Sequence, residues 1–294
     1  MTTIRIAHYS DIHVTVPPWQ QPWSSLLNKR LAGLFSYTLG GRGRRFSGVE
    51  GRITALLEDV DAQRVDHALC TGDLTAISLR EEFSRCAALF GHRLHEPQKL
   101  TVIPGNHDRY VQQAVDERFF EEHFASVSSG NGFPFQKTLA PGVVLVALDV
   151  ARPTPFHHSS GLCGEAQRAR LLELLTDPSL RNTFVILALH YGLLRANGAR
   201  DRANHGLRDD EALLELLDRQ DVQLDLVVHG HMHNAFEVRS KRRLIHCAGS
   251  ATDLHVACGY NVYTVDLERR SVTSSRRVWD IAARGYVPAV ITAQ

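Results

Sequence analysis

The 294-residue sequence is poor in several features that would settle its class at once. No stretch holds 18 apolar residues in succession, so no segment is expected to span a bilayer. Charge is not in excess of one sign. With 33 Lys and Arg against 32 Asp and Glu, the net charge is +1, and the pervasive basic surplus of a general nucleic-acid binder is missing. Cysteine is sparse and unpatterned: Cys70, Cys86, Cys163, Cys247 and Cys258 form no CxxC pair, and their odd number suits free thiols used as small core residues in a reducing compartment. The amino terminus lacks a charged segment followed by a long apolar one, so Ile4 to His8 reads as a first strand rather than a secretion signal. The expectation is a cytoplasmic protein, with peripheral contact at an inner membrane surface left open. No repeat or low-complexity linker divides the chain, and its length is ample for a buried core, so one domain over residues 1–294 is expected.

What is present is alternation. Short β-like runs at Ile4 to His8, His67 to Thr71, Leu100 to Ile103, Val143 to Leu148, Phe184 to Leu189 and Leu224 to Val228 each end in polar residues. Helix-like stretches lie between them near 48–62, 80–95, 112–123, 164–176 and 208–219, which makes the chain α/β. After His246 only strands follow, at Tyr260 to Val265 and Ser271 to Arg276, which predicts an antiparallel finish to the sheets.

One local absence carries information. Residues 14–49 contain no Asp or Glu but hold Lys29, Arg30, Arg42, Arg44 and Arg45 together with Trp19 and Trp23, over a span too long for an ordinary connection. Leu27, Leu31, Leu34 and Phe35 fall at helical spacing, so a short helix there would set an apolar stripe beside cations. Such an insert is either a cap with solvated arginines or an acceptor for an amphipathic anion, with Lys29, Arg30, Arg44 and Arg45 as the phosphate-binding candidates and Trp and Leu meeting acyl chains.

Five clusters hold metal-type residues: Asp11-Ile-His13, Gly72-Asp73, Gly105-Asn106-His107-Asp108, His190-Tyr191 and Gly230-His231-Met232-His233. All lie at or just beyond the ends of apolar runs, and parallel strands would bring such ends to one crevice. Carboxylate, amide and imidazole without thiolate suit a borderline divalent ion such as Mn, Fe or Zn. The number of ligands exceeds what one ion needs, so two ions sharing a bridging carboxylate is the economical reading. The glycines before Asp73, Asn106 and His231 are expected to allow sharp turns that aim those side chains together.

In this order the motifs resemble the calcineurin-like metallophosphoesterase superfamily, from residue 11 to 233. The resemblance implies a sandwich of two packed mixed sheets flanked by helices. It also implies two divalent ions, Mn the first choice, held by Asp11, His13 and His233 on one side and by Asn106, His190 and His231 on the other, with Asp73 between them. The implied reaction is hydrolysis of a phosphodiester or pyrophosphate bond by a metal-bridging hydroxide, with His107 protonating the leaving oxygen and Asp108 orienting or tuning it. The sequence Gly72-Asp73-Leu74-Thr75-Ala76 departs from the protein-phosphatase pattern Gly-Asp-x-Val-Asp, and so looks more like the bacterial branch with cyclic-nucleotide phosphodiesterases and pyrophosphohydrolases. Asn28 to Leu34 with Arg44 and Arg45 resembles an insert of UDP-2,3-diacylglucosamine pyrophosphohydrolases of lipid A synthesis, which makes that nucleotide-lipid the leading substrate expectation. A cyclic- or small-nucleotide phosphodiesterase is the alternative, and a metal-binding scaffold without catalysis is a third reading.

Overall fold

The computed structural model describes residues 3–17, 20, 28–31, 33, 35, 40–128 and 132–289, with the backbone alone at Arg42. Two six-stranded sheets face each other. The first has the order β12-β11-β10-β1-β2-β3, from β1 (Thr3–Tyr9), β2 (His67–Cys70), β3 (Leu100–Val102), β10 (Gly259–Asp266), β11 (Ser271–Asp280) and β12 (Gly285–Pro288). The second has the order β4-β5-β6-β7-β9-β8, from β4 (Phe135–Ala140), β5 (Val143–Ala147), β6 (Phe184–Ala188), β7 (Leu226–His229), β8 (Phe236–Arg239) and β9 (Leu244–Cys247). In the first sheet β1, β2 and β3 run parallel, with Ile6 opposite His67 and Ala68 opposite Leu100, while β10 to β12 complete it antiparallel as expected. In the second, β5, β6, β7 and β9 are parallel and β4 and β8 are antiparallel edges.

The β-branched and leucine-rich runs explain the layering. Ile4, Ile6 and Leu69 of the first sheet meet Val143, Leu145, Ile186 and Val228 of the second in a dry layer between the sheets. The alternate residues of each strand face outward, where helices cover them. α2 (Val49–Ala62), α3 (Arg80–Phe90) and α5 (Phe119–Phe124) cover the first sheet, whereas α6 (Glu165–Leu175) and α7 (Asp210–Leu217) cover the second. The shorter α1 (Arg42–Arg45) and α4 (Gln112–Asp116) complete the set named here. In α2 the apolar positions Val49, Ile53, Leu56, Leu57 and Val60 recur at helical spacing and are all buried. Each such side chain contributes about 1.5–3 kcal/mol by leaving water, so Leu56→Asp is expected to unseat the helix.

This is the mixed two-sheet sandwich flanked by helices that the sequence implied. Four strands escaped the sequence reading: β4, β8, β9 and β12. No helix among the described residues is long and apolar enough to cross a membrane. In the 14–49 segment Arg30, Leu31, Gly33 and Phe35 are helical, in keeping with the expected short helix, while Trp19, Trp23, Leu27 and Leu34 lie outside the described residues.

Candidate metal centre

The parallel strands of both sheets deliver their carboxyl ends to one place. Asp11 and His13 follow β1, Asp73 follows β2, Asn106 to Asp108 follow β3, His190 follows β6, and His231 and His233 follow β7. Backbone bonds stitch these loops together: Asp11 N donates to Gly72 O at 2.9 Å and His13 N to Asp73 O at 3.0 Å. Two bonds tie one sheet to the other, His231 N to Asp11 Oδ2 at 2.9 Å and His190 Nδ1 to Thr71 O at 2.7 Å.

The backbone is bent hard here. Asp11, His13, Asp73, His231 and His233 have φ of 54°, 45°, 58°, 68° and 57°, half of the left-handed non-glycine residues among those described. Each such residue costs about 1–2 kcal/mol, and strain of this kind collects at functional sites. The glycine expectation is corrected in part. Gly72, at φ 97°, does make a left-handed turn, whereas Gly105 and Gly230 serve as clearance. A Cβ on Gly105 would lie 2.3 Å from Asp73 Oδ1, and one on Gly230 would lie 1.9 Å from Ser10 Oγ.

Two groups of candidate ligands result. In the first, His13 Nε2 lies 3.2 Å from His233 Nε2, 3.9 Å from Asp11 Oδ1 and 3.7 Å from Asp73 Oδ2, while His233 Nε2 lies 3.5 Å from Asp11 Oδ1. In the second, Asn106 Oδ1 lies 3.0 Å from His190 Nε2 and 2.9 Å from His231 Nδ1, and His190 Nε2 lies 3.4 Å from Asp73 Oδ1. The two oxygens of Asp73 thus face the two groups. Bonds of about 2.1 Å in a tetrahedral shell give ligand–ligand edges of roughly 3.4 Å, so the spacings fit divalent ions.

Ring tautomers sharpen the test. Nδ1 of His13 donates to Thr75 O at 3.1 Å, Nδ1 of His190 to Thr71 O at 2.7 Å, and Nε2 of His231 to His205 O at 3.1 Å, while Nδ1 of His233 meets Asp253 Oδ2 at 2.8 Å. Each ring therefore turns its other nitrogen, as a lone pair, toward the candidate ligands. Lone pair facing lone pair is repulsive unless a positive charge sits between, whether a metal ion or an extra proton. The carboxylates require the same: neither Asp11 nor Asp73 is paired with a Lys or Arg among the described residues, both are buried, and Asp11 Oδ1 has no hydrogen-bond partner. Burial opposes a proton on His190, yet Asp73 and Asp11 outweigh it and lift the imidazole to about 9. Burial raises Asp11 above the ordinary carboxylate range. The residues present fit two divalent cations.

Around this centre lies an open cavity of about 500 Å³, which Arg45, Asp73, Asn106, His107, His231 and His233 help to line. His107 is half-buried, its Nδ1 donates to Ala76 O at 2.5 Å, its face stacks on Tyr110 at 5.4 Å, and its edge meets the His13 ring. Asp108 has a different use from the one expected. It does not bond the His107 ring; its buried carboxylate accepts from the backbone N–H of Leu74, Thr75 and Gly105, clamping the loops after β2 and β3 together. Burial and the adjacent Asp73 push it up to about 7.

The four cationic candidates separate. Arg45 reaches the centre, its guanidinium on Asp253 and 3.3 Å from His233 Nδ1. Lys29 Nζ donates to Thr154 Oγ1 at 2.6 Å and His158 O at 2.9 Å and lies over the Tyr110 ring. Arg44 is exposed on α1. Arg30 is buried, and its guanidinium donates to Ile77 O and Ser78 O and to Gln113 Oε1, so it pins the insert to the loop after β2. Arg30 is a buried anchor because two carbonyls and the Gln113 amide replace the water it loses.

Sequence reasoning missed Asp253, Arg195 and His205. Asp253 holds His233 and Arg45 at once, and Arg195 lines the cavity. His205 packs its ring 4.3 Å from that of His231, takes Asp201 Oδ2 at 2.6 Å on Nδ1, and also lines the cavity. The i, i+4 pair of Asp201 and His205 was the only signal in the sequence that could have flagged it.

An α/β fold of two sheets whose strand ends gather Asp, Asn and His around a gap suited to cations points to metal-dependent chemistry. The calcineurin-like phosphoesterase family model matches residues 4–235, and the chain belongs to this family; it is a metal-dependent phosphoesterase. No curated protein sequence matches it. Among solved structures it is similar to a dimetal phosphatase from Danio rerio, at 12% identity over 88% of this chain and 92% of that one, with a TM-score of 0.60. It is also similar to GAP50, the anchor in the inner membrane complex of Plasmodium, at 10% identity over 95% and 85% of the two chains and a TM-score of 0.56. A purple acid phosphatase from yellow lupin seeds aligns at 12% identity over all of this chain and 57% of its own, with a TM-score of 0.55. These likenesses bear on the fold.

Proposed function

We propose that this chain cleaves the phosphodiester or pyrophosphate bond of an amphipathic, nucleotide-linked substrate, with UDP-2,3-diacylglucosamine the specific candidate. The observation that supports the substrate class is a set of exposed apolar side chains on segments bonded to the neighbourhood of the cavity. Leu31, Phe35, Phe156 and Leu254 are exposed, and they make up most of the exposed large apolar side chains among the described residues. Two of their segments are bonded to residues that line the cavity, Gly40 N to Phe35 O and Leu254 N to Arg45 O, and Lys29 ties the insert to the 154–158 loop that holds Phe156. Acyl chains would lie on these side chains while Arg44, Arg45 and Arg195 meet the phosphates, an arrangement that also suits peripheral contact with a membrane surface. In this reading residues 14–49 form a cap on a single domain spanning 1–294.

Asp11, His13, Asp73 and His233 would hold one divalent ion and Asp73, Asn106, His190 and His231 the other, Mn being the first candidate and Fe or Zn the alternatives. Such a pair supplies acidified water near neutral pH and neutralises charge on phosphoryl oxygens. The chain supplies the rest. Since Nδ1 of His107 is engaged by Ala76 O, its Nε2 is the nitrogen that hands a proton to the leaving oxygen, with Tyr110 fixing the ring plane. Asp108 keeps the two loops in register so that His107 and Asp73 stay together.

The test is Mn-dependent turnover of UDP-2,3-diacylglucosamine in detergent beside bis(p-nitrophenyl) phosphate and cyclic AMP. Preference for the lipid-linked nucleotide is expected, and Phe35→Ser with Phe156→Ser should lower it selectively. Turnover of soluble diesters with none of the lipid substrate would remove the lipid reading. A cavity of about 500 Å³ also has the size of a mononucleotide site, so selective cleavage of cyclic AMP would establish the small-nucleotide phosphodiesterase reading instead.

A further inference from the structure

We propose that the protein carries a second small-molecule site, for a small amphipathic anion, on the outer face of the first sheet. A cavity of about 430 Å³ opens there between the end of α2, the turn after α3 and strands β1 to β3, and none of its lining residues lines the metal cavity. Its size falls within the range of small-ligand sites. The apolar part of the wall comes from Val60, Val65, Ala68 and Leu100.

Two polar features of the cavity are left without partners. Tyr9 is fully buried and lines the cavity, yet its hydroxyl makes no hydrogen bond among the described residues. A buried phenol normally finds a partner because an unpaired hydroxyl is costly, so this one calls for an acceptor supplied from the cavity. At the mouth, Arg93 is tied to Asp61 and Lys99 pairs with Glu96 at 3.1 Å. Arg64 lines the same mouth, is exposed, and takes no ion pair among the described residues. Its φ of 49° fixes a left-handed turn just after α2, a backbone that sets the side chain's origin at the rim. Inner acceptor, apolar body and outer anion together describe the ligand: an aromatic or short acyl carboxylate with an ether, carbonyl or ring acceptor at its far end.

Calorimetric titration of the whole metal-loaded protein with matched probes tests this. 4-Methoxybenzoate offers all three features, 4-ethylbenzoate lacks the acceptor, and 4-methoxybenzamide lacks the charge. Saturable binding of 4-methoxybenzoate is expected with a Kd on the order of a millimolar or below. The ethyl probe should bind about three- to tenfold more weakly, the worth of one hydrogen bond. Tyr9→Phe should erase the difference between the methoxy and ethyl probes, and Arg64→Gln should erase the difference between carboxylate and amide, with melting curves confirming that both variants fold. No saturable binding, an unchanged ranking in both variants, or displacement of the probe by inorganic phosphate with no response to Arg64→Gln would each overturn the proposal.

Discussion

The loops that carry the metal-type residues and the 14–49 insert share one cavity, but they are held by different kinds of side chain. In the loops, nearly every polar side chain is fixed from behind by main chain: His13 by Thr75 O, His190 by Thr71 O, His231 by His205 O and His107 by Ala76 O. The insert is held by side chains reaching outward: Lys29 to the 154–158 loop, Arg30 to the carbonyls of 77 and 78, and Arg45 to Asp253. A short imidazole pinned to a carbonyl has little freedom left, so the first region is built for fixed geometry. Long cationic side chains can rearrange around different partners, so the second is where substrate preference can change without disturbing the centre.

The comparison breaks most sharply at the loops. Asp73→Ala should cut turnover of every substrate by roughly a thousandfold or more and lower the metal content, read by single-turnover kinetics and metal analysis. Gly105→Ala should do nearly as much, since its new methyl group would overlap Asp73 Oδ1 and N, both within 2.4 Å of it. Retention of normal turnover by this variant would mean that the loop is not the rigid element described here. Asp253→Asn comes next. It replaces the one side-chain acceptor in the set behind the rings, and loss of such a partner typically lowers metal affinity about 10- to 100-fold. Arg45→Gln should weaken metal binding less, because His233 keeps its carboxylate; a larger effect of Arg45→Gln than of Asp253→Asn would show that Arg45 rather than Asp253 is the main support.

At the insert, Arg30→Met should leave soluble-diester turnover within about twofold while raising KM for an amphipathic substrate, because it strands the carbonyls of Ile77 and Ser78 at a cost of about 1–3 kcal/mol. A fall in diester turnover equal to the loss on lipid would deny the separation between frame and cap.

The same contrast decides what could be read from sequence. The metal-type residues stood out because Asp-x-His, Gly-Asp, Gly-Asn-His-Asp and Gly-His-x-His each compress their chemistry into neighbouring positions, and the apolar runs before them declared the strands. What fixes those rings was illegible, since a backbone carbonyl at Thr71 or Thr75 has no residue identity, and Asp253 is twenty residues from the His233 it holds. The missed strands have a related reason. β4 and β8 are edges with one side in solvent, so they lack the continuous apolar run that marked β5, β6 and β7, and β9 offers only Leu244 and Ile245 before His246. The anchoring of Arg30 was illegible because a cation in a basic stretch reads as solvated or substrate-bound, and only the folded chain reveals the acceptors around it.

The smallest effect tests the cap alone. Burial holds Lys29 down to about 8 from the ordinary 10.5. Between those values the unfolded chain carries the proton and the folded chain has lost it, so the unfolded state binds more protons and stability rises with pH across this window. Lys29 is only partly buried, which reduces the gain through solvent screening, and a rise of a degree or two in melting temperature relative to Lys29→Met between pH 8 and 10 is expected. Subtracting the variant removes every other titrating group from the comparison, including the carboxylates and histidines of the metal centre. A flat difference across the window would mean that the ammonium stays hydrated and that the bonds to Thr154 and His158 do not hold the insert shut; a rise would identify Lys29 as the latch, made of the kind of contact that a change of substrate could re-form elsewhere.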